Sequence, residues 1–324
     1  MRLSAELQNA IQRETDKVDH RKLAQATAQL TEHYKAADFS TPAVATEAHR
    51  AAYLAVRFPA TYAAICRVFA EIKLRAPAAE IASLVDLGAG PGTALFAAAE
   101  RLPQLQQATL IESDAGWIAV GKRLAEQSEL PAVQQAQWLK QDMRSGLSCD
   151  KHDLVVISYT LGELPQAAAE AVLNKAWKCA GKFLVLIEPG TRRGFAAINA
   201  ARTSLISNAA TILVPCPHHF TCPMAAAGDW CHFSQRVERT SQHRQLKSGV
   251  LGYEDEKFSH LVAAKSAAPF AGARIVRHPG KHSGHVKLVL CTAEGKIENR
   301  TITRSSKDAY KRARKAEWGD LWIE

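Results

Sequence analysis

The sequence predicts an α/β fold: a doubly wound, mainly parallel sheet with a helical N-terminal subdomain and a cysteine-rich, metal-binding insertion. Three observations predict it. From Ile81 onward, short β-prone runs alternate with helical stretches, the pattern of strand–helix–strand units. A glycine-rich loop, Gly88-Ala89-Gly90-Pro91-Gly92, separates the first such strand from the first helix. Three of the seven cysteines fall between Cys216 and Cys231, and thiolates are strong ligands for zinc and iron–sulfur clusters.

Residues 1–80 read as the helical subdomain. Alanine is abundant, and Ala51, Leu54, Ala55 and Phe58 recur at three- and four-residue spacing, as on one face of a helix. Pro42 and Pro59 mark breaks. Residues 81–302 form the sheet domain. Its predicted strands are Ser83–Leu87, Ala108–Glu112, Trp138–Gln141, Asp153–Ser158 and Phe183–Ile187, separated by helices over Thr93–Arg101, Ala115–Gln127 and Gln166–Ala180. The alternation lapses after Glu188. An insertion at about 190–265 carries a helix-like run, Ala196–Asn208, and the clustered cysteines. Two strand-like runs, Val286–Cys291 and Lys296–Ile302, are expected to close the sheet. Residues 303–324 read as a basic tail, and no internal repeat is visible.

Composition narrows the function classes. A hydrophobic share of 47% is ordinary for a globular chain, and no apolar run approaches the roughly 20 residues of a membrane span. The segment Met1–Lys22 mixes Arg and Lys with Glu6, Glu14, Asp16 and Asp19, unlike a secretory signal or an acid-poor transit peptide. A cytoplasmic protein is expected, without a disulfide framework and monomeric. The net charge of +9 suits a polyanionic partner or a generally basic surface. Its location discriminates: Arg300 to Lys315 holds seven Lys or Arg and one Asp.

In the glycine loop, Gly88, Gly90 and Gly92 allow a tight turn and close approach of a ligand to the backbone. The spacing is not the G-x-G-x-x-G of dinucleotide folds. Asp86-Leu87-Gly88-Ala89-Gly90-Pro91-Gly92 resembles motif I of class I S-adenosylmethionine-dependent methyltransferases, a Rossmann-like family. That resemblance implies a cofactor site of Asp86, Gly88, Gly90, Gly92, Glu112 and Asp142. Glu112 ends the second strand, where the family holds the ribose hydroxyls. Asp142 follows the third, where an acid or amide meets the adenine amine. The fourth strand ends in Ser158-Tyr159-Thr160-Leu161-Gly162-Glu163-Leu164. It lacks the Asn/Asp-Pro-Pro-aromatic signature of nucleobase amine transfer and a cysteine for attack on a pyrimidine carbon. Glu163 is read as a helix start, where an acid suits the dipole. No catalytic residue is assigned, and whether the chain is an enzyme stays open.

Cys216 and Cys222 are each followed by proline, which stiffens the loop. The spacing does not match the paired knuckles of common zinc sites. His219, His232 or a distant cysteine could complete the set. Cys291 is the best candidate, at the end of an apolar strand. Phe220, Trp230 and Phe233 are available to shield the site. Cys66, Cys149 and Cys179 read as small core residues.

Together with Glu188-Pro189-Gly190-Thr191, Cys216-Pro217-His218-His219-Phe220-Thr221-Cys222-Pro223, Trp230-Cys231-His232-Phe233 and Ala309-Tyr310-Lys311-Arg312-Ala313-Arg314-Lys315, these features resemble the Rsm22 family of small-ribosomal-subunit-associated methyltransferase-like proteins, as a bacterial-type member. The resemblance implies a [4Fe–4S] cluster on Cys216, Cys222, Cys231 and Cys291, with zinc as the chemical alternative. It also implies a role in assembly of the small ribosomal subunit or in translation, through rRNA. Arg304, Lys307, Lys311, Arg312 and Lys315 are the candidate RNA contacts, and His278, His282 and His285, near Arg274, Arg277 and Lys281, read as part of the same basic surface. The alternatives are an active rRNA methyltransferase and a zinc-containing or redox-sensing RNA-binding protein.

Overall fold

Four helices lead into the sheet in the computed structural model, which describes residues 1–36, 44–145, 150–247, 249–266 and 272–323. They are α1 (Ala5–Thr15), α2 (His20–Ala36), α3 (Glu47–Val56) and α4 (Phe58–Arg75). Ser4 and Thr46 cap α1 and α3 by accepting backbone N–H groups of Leu7 and His49, satisfying donors that a helix start leaves free. Pro59 lies in the first turn of α4, where its missing N–H costs nothing. The break it marks is therefore a single residue, Arg57. Pro42 lies outside the described residues.

The alternating region follows as β1 (Ser83–Leu87), α5 (Thr93–Arg101), β2 (Gln107–Glu112), α6 (Ala115–Ala125), α7 (Pro131–Gln134), β3 (Gln137–Lys140), β4 (His152–Ser158), α8 (Gln166–Cys179), β5 (Ala180–Pro189) and α9 (Arg192–Ser207). Next come β6 (Thr211–Val214), α10 (Pro223–Ala226), β7 (Phe233–Glu238), α11 (Ser241–Leu246) and β8 (Tyr253–Ala264). Among the described residues these strands form one sheet in the order β3-β2-β1-β4-β5-β8-β6, with β7 also pairing β8. β3, β2, β1, β4 and β5 are parallel, while β8 is antiparallel between β5 and β6. This order, with its late antiparallel strand, is that of the class I methyltransferase fold.

The strands are buried on both faces, as the two-residue side-chain period requires of a covered parallel sheet. Leu84, Leu110, Leu154, Val156, Val185 and Val262 pack on one face with Phe58, Phe69 and Leu95. Val85, Ile111, Val155, Ile157, Leu184 and Leu261 pack on the other with Val172, Leu173, Ile198 and Leu205. Large-to-small changes at such positions cost about 2–5 kcal/mol.

The remaining strands correct the expectation that Val286–Cys291 and Lys296–Ile302 close this sheet. β9 (Ala273–Ile275), β10 (Gly280–Lys281), β11 (His285–Cys291), β12 (Ile297–Thr303) and β13 (Leu321–Trp322) form a second sheet, in the order β10-β11-β9-β13 with β12 on β11. The position beside β5 is already taken by β8. Residues beyond 303 are part of this second unit. α12 (Lys307–Lys315) buries Ala313 against Ile275, Val286, Leu288 and Leu290, and Trp322 joins the same core. On the opposite face, Val289 and Cys291 meet Met224 and Val276. The second sheet therefore carries a basic helix on one side and a thiol on the other.

Candidate functional site

The first site lies at the carboxyl ends of β1, β2 and β4, beside the point where strand order reverses and open α/β sheets bind ligands. Gly88, Gly90 and Gly92 all adopt positive φ, at 74°, 54° and 84°. A Cβ on Gly88 would stand 2.7 Å from Met143 Cε, whereas one on Gly90 would meet nothing within 4 Å. The space beside Gly90 is thus open for a ligand. Glu112, buried at the end of β2, accepts the Gly90 N–H at 2.8 Å and the Asp114 N–H at 2.8 Å, tying the loop to the next strand. Asp86 is 1% exposed and its Oδ1 lacks a hydrogen-bond partner among the described residues. Burial, with the Glu112 charge adding, pushes its carboxyl up to about 8. Asp142 is instead engaged by Arg144, whose Nε and Nη2 donate to it at 2.9 and 2.6 Å, and this pairing lowers its pKa.

Strand four delivers two groups to the same edge. Tyr159 leaves β4 at φ 56°, and its hydroxyl donates to Glu256 of β8 at 3.1 Å. Arg57 donates both terminal nitrogens to that carboxylate, at 3.2 and 3.1 Å. On the β2 side, Arg50 of α3 donates to both oxygens of Asp114 at 2.9 Å. The N-terminal helices are therefore latched to the ligand-binding edge at two points. Glu163 does not start a helix. It closes a single 3₁₀ turn, Leu161–Glu163, and α8 begins at Gln166. The residue is exposed overall, and partial desolvation of its carboxyl, with the Glu112 charge adding, raises its pKa. Glu188, buried in β5, is pushed up to about 7 by burial against the opposing N–H groups of residues 160–162.

The second site is the connection between β6 and β7. These two strands pair successive halves of β8's outer edge, at Thr211–Val214 and Phe233–Glu238. The cysteine segment fills the gap between them. Ser259 of β8 donates its hydroxyl to the Cys231 carbonyl at 2.9 Å. Cys216, Cys222 and Cys231, from this segment, line one cavity together with Cys291 of β11. Burial raises the Cys216 and Cys231 thiols and pushes Cys291 up to about 12, and the thiols reinforce one another. Cys216, Cys231 and Cys291 become thiolates together only if positive charge joins them. Among the described residues, no three His, Cys, Asp or Glu are grouped for a single metal ion.

Neither of the proposed histidine ligands lines this cavity. His219 Nε2 accepts the Ile212 N–H at 2.9 Å, and His232 packs between Trp230 and Trp318, at 5.3 and 4.7 Å. His218 does line it, with Nε2 3.4 Å from Cys291 Sγ. The shielding set also differs. Phe233 lines the cavity beside Phe195 and Met224, but Phe220 is 63% exposed and Trp230 donates to the Gly190 carbonyl. Of the three cysteines read as core residues, Cys66 and Cys179 are buried in the core, Cys179 being disulfide-bonded, and Cys149 lies outside the described residues.

Residues 47–323 match the family described as mitochondrial small ribosomal subunit Rsm22. The chain belongs to the Rsm22 family. It is 29% identical over 297 residues to the human mitochondrial ribosome assembly protein METTL17, covering 85% of this chain and 63% of that one. It is 29% identical over 219 residues to the fission yeast Rsm22-cox11 tandem protein 2, covering 53% of this chain and 29% of that one. The chain thus spans less than two thirds of these relatives' length. Among solved structures it is similar to the magnesium protoporphyrin IX methyltransferase of Synechocystis PCC 6803 (TM-score 0.41, 15% identity, 64% of this chain and 80% of that one).

In this Rsm22 chain two arginines flank the thiols; the sequence reading passed over Arg202 and placed Arg274 by the basic surface. Arg202 is 4% exposed and its Nη2 donates to the carbonyls of His218 and Phe220 at 2.8 and 2.9 Å. It has no carboxylate partner among the described residues. Its signal was a lone cation on the apolar stripe Ile198, Ala201, Leu205 of α9. Arg274 of β9 donates to the carbonyls of Pro215 and Gly319 at 3.0 and 2.6 Å and pairs with Glu71 of α4 at 2.9 Å. It is not surface charge, nor is Arg277 free, since it pairs with Asp229. Of the candidate RNA contacts, Arg304, Lys307, Lys311, Arg312 and Lys315 are all exposed. Lys311 pairs with Asp308 at 3.3 Å and Arg312 lies over Trp322 at 5.8 Å.

Proposed function

We propose that this Rsm22 protein is an S-adenosylmethionine-binding assembly factor of the small ribosomal subunit that carries a [4Fe–4S] cluster and binds rRNA through its second sheet. The observation that carries the reading is the convergence of Cys216, Cys222 and Cys231 with Cys291 on one cavity between two sheets. The residues present fit such a group. A buried cation without a counter-charge is costly, and Arg202 is one; a four-thiolate centre of net negative charge offsets it. When bound, the cluster supplies a cross-link between the β6–β7 segment and β11. Arg202, Arg274 and His218 hold the surrounding chain and keep water out.

The glycine crevice fits the cofactor through the open face of Gly90, the Glu112 carboxylate and the orphaned Asp86 oxygen. A sulfonium or ammonium group near Asp86 favours its charged form. The names of the curated relatives, as ribosome assembly proteins, support the subunit partner.

Anaerobic purification with iron, sulfide and zinc analysis and a visible spectrum tests the centre. About four iron atoms per chain support the cluster; one zinc in a colourless protein overturns it. Cys222→Ser is expected to lower the iron content, the melting temperature and subunit binding together. Unchanged melting and binding would sink the bracing role. A second reading, active methyl transfer to rRNA, is favoured by Glu163, an exposed acid on the turn that follows β4. It requires labelled methyl transfer that is lost in Gly90→Arg. Cofactor binding without transfer to any subunit RNA removes it.

A further inference from the structure

We infer that the open end of the second sheet is a binding platform for single-stranded RNA, on which a base stacks against the His282–His285 pair while neighbouring cations hold the phosphates. This inference rests on the rRNA-binding reading above and names the form of RNA and the place. His282 and His285 flank the β10–β11 turn. The His282 N–H donates to the His285 carbonyl at 3.0 Å, and the two rings stack with centroids 4.7 Å apart and planes at 17°. His282 is exposed and His285 half-buried, so the stack presents an accessible aromatic face.

The chain brings cations to this one place from three elements. Lys281 sits opposite Val286 in the β10–β11 pair. His285 sits opposite Thr303 in the β11–β12 pair, and the Arg304 N–H donates to the Gly284 carbonyl at 3.0 Å, which starts the path into α12. Arg314, in the last turn of α12, donates to the His282 carbonyl at 3.4 Å. Among the described residues Lys281, Arg304, Lys307 and Arg314 have no carboxylate partner, and the acid of α12, Asp308, is already paired with Lys311. Paired bases in an RNA duplex have no free face to stack, so a duplex would use only the cations. An aromatic platform amid unpaired cations is the chemistry of single-strand binding. An acidic protein would make no use of the ring face.

The test uses the full-length holoprotein and fluorescence anisotropy with two labelled probes, a short single-stranded oligoribonucleotide and an RNA hairpin duplex. The double variant His282→Ala/His285→Ala is expected to lose on the order of ten-fold in single-strand affinity with an unchanged salt slope. Its duplex affinity should not move. His282→Tyr/His285→Tyr is expected to retain binding, which separates stacking from folding damage. Lys281→Gln/Lys307→Gln should instead lower the salt slope by roughly 0.7 for each phosphate left without its cation. Equal binding of duplex and single strand, indifference to the histidine changes, or tighter binding of polyglutamate than of RNA would each overturn the platform. If wild type still co-sediments with small-subunit particles in that case, the rRNA reading stands and only the platform falls. If it binds neither particles nor oligonucleotides, both fall.

Discussion

The glycine crevice takes Asp86, Gly90 and Glu112 from the ends of two adjacent parallel strands, whereas the thiol cavity takes Cys216, Cys222 and Cys231 from the edge of one sheet and Cys291 from another. The crevice holds acids whose burial favours the neutral form. The cavity is flanked by buried guanidinium groups. One is a pocket within a single sheet, and the other is a joint between two sheets. A residue that carries both roles would blur this contrast, and Glu71 is the sharpest place to look.

Glu71 pairs with Arg274 inside the joint, with side chains 7% and 4% exposed. Arg274 also ties the cysteine segment to the Gly319 carbonyl. Removing one partner of a buried pair leaves an uncompensated charge and costs about 3–5 kcal/mol. Glu71→Gln is therefore expected to lower the urea-unfolding free energy by about 3 kcal/mol or more and to weaken metal retention, while S-adenosylmethionine affinity by calorimetry stays unchanged. A loss of cofactor affinity equal to the loss of stability would show that crevice and joint are one unit.

The crevice should respond to pH with the sign opposite to that of the joint, where burial lowers His218 and His260 to about 4, so that their contribution to stability rises with pH. Asp86 is held at about 8 in the folded chain and at roughly 4 in the unfolded one. Between these values the folded protein keeps a proton that the unfolded chain has released, so stability falls as pH rises, by up to about 1.4 kcal/mol per pH unit, and levels off beyond the folded value. Asp86→Asn removes that dependence and is expected to be the more stable protein near neutral pH. Unfolding free energies of both proteins measured across about pH 5 to about pH 8 decide it. Parallel curves would mean that Asp86 finds a partner in solution.

The same contrast governs what could be read from the sequence. Crevice elements were legible because each is local: Ser83–Leu87 and Thr93–Arg101 form as predicted, and the other parallel strands shift by a residue or two or extend further. The joint was not. β8 went unread because Glu256, Ser259 and His260 interrupt its apolar pattern, yet all three are buried there, facing Arg57, Cys231 and Glu71. α12 read as a tail because its inward face is made of small residues, Ala309 and Ala313, among cations. β11 and β12 have clear strand patterns, but periodicity does not reveal a strand's partners. Cys291 entered the ligand set through family resemblance as much as through its strand. Arg202 was passed over and Arg274 was placed by the basic surface because charge suggests a surface, and only burial contradicts that.

The smallest expected effect lies where the helical cap meets strand four. The Tyr159 hydroxyl donates to Glu256 at 3.1 Å, but Arg57 holds the same carboxylate through both terminal nitrogens. Tyr159→Phe removes one donor and leaves the acceptor satisfied, so it should cost about 1 kcal/mol of stability. Glu256→Gln should cost more, because it strips Arg57 of its counter-charge. If Tyr159 serves only to seat the cap, neither cofactor affinity nor iron content will change in the Phe variant. A several-fold change in S-adenosylmethionine affinity with stability intact would instead make the hydroxyl part of the crevice. The Tyr159 hydroxyl would then act on the cofactor as well as on Glu256.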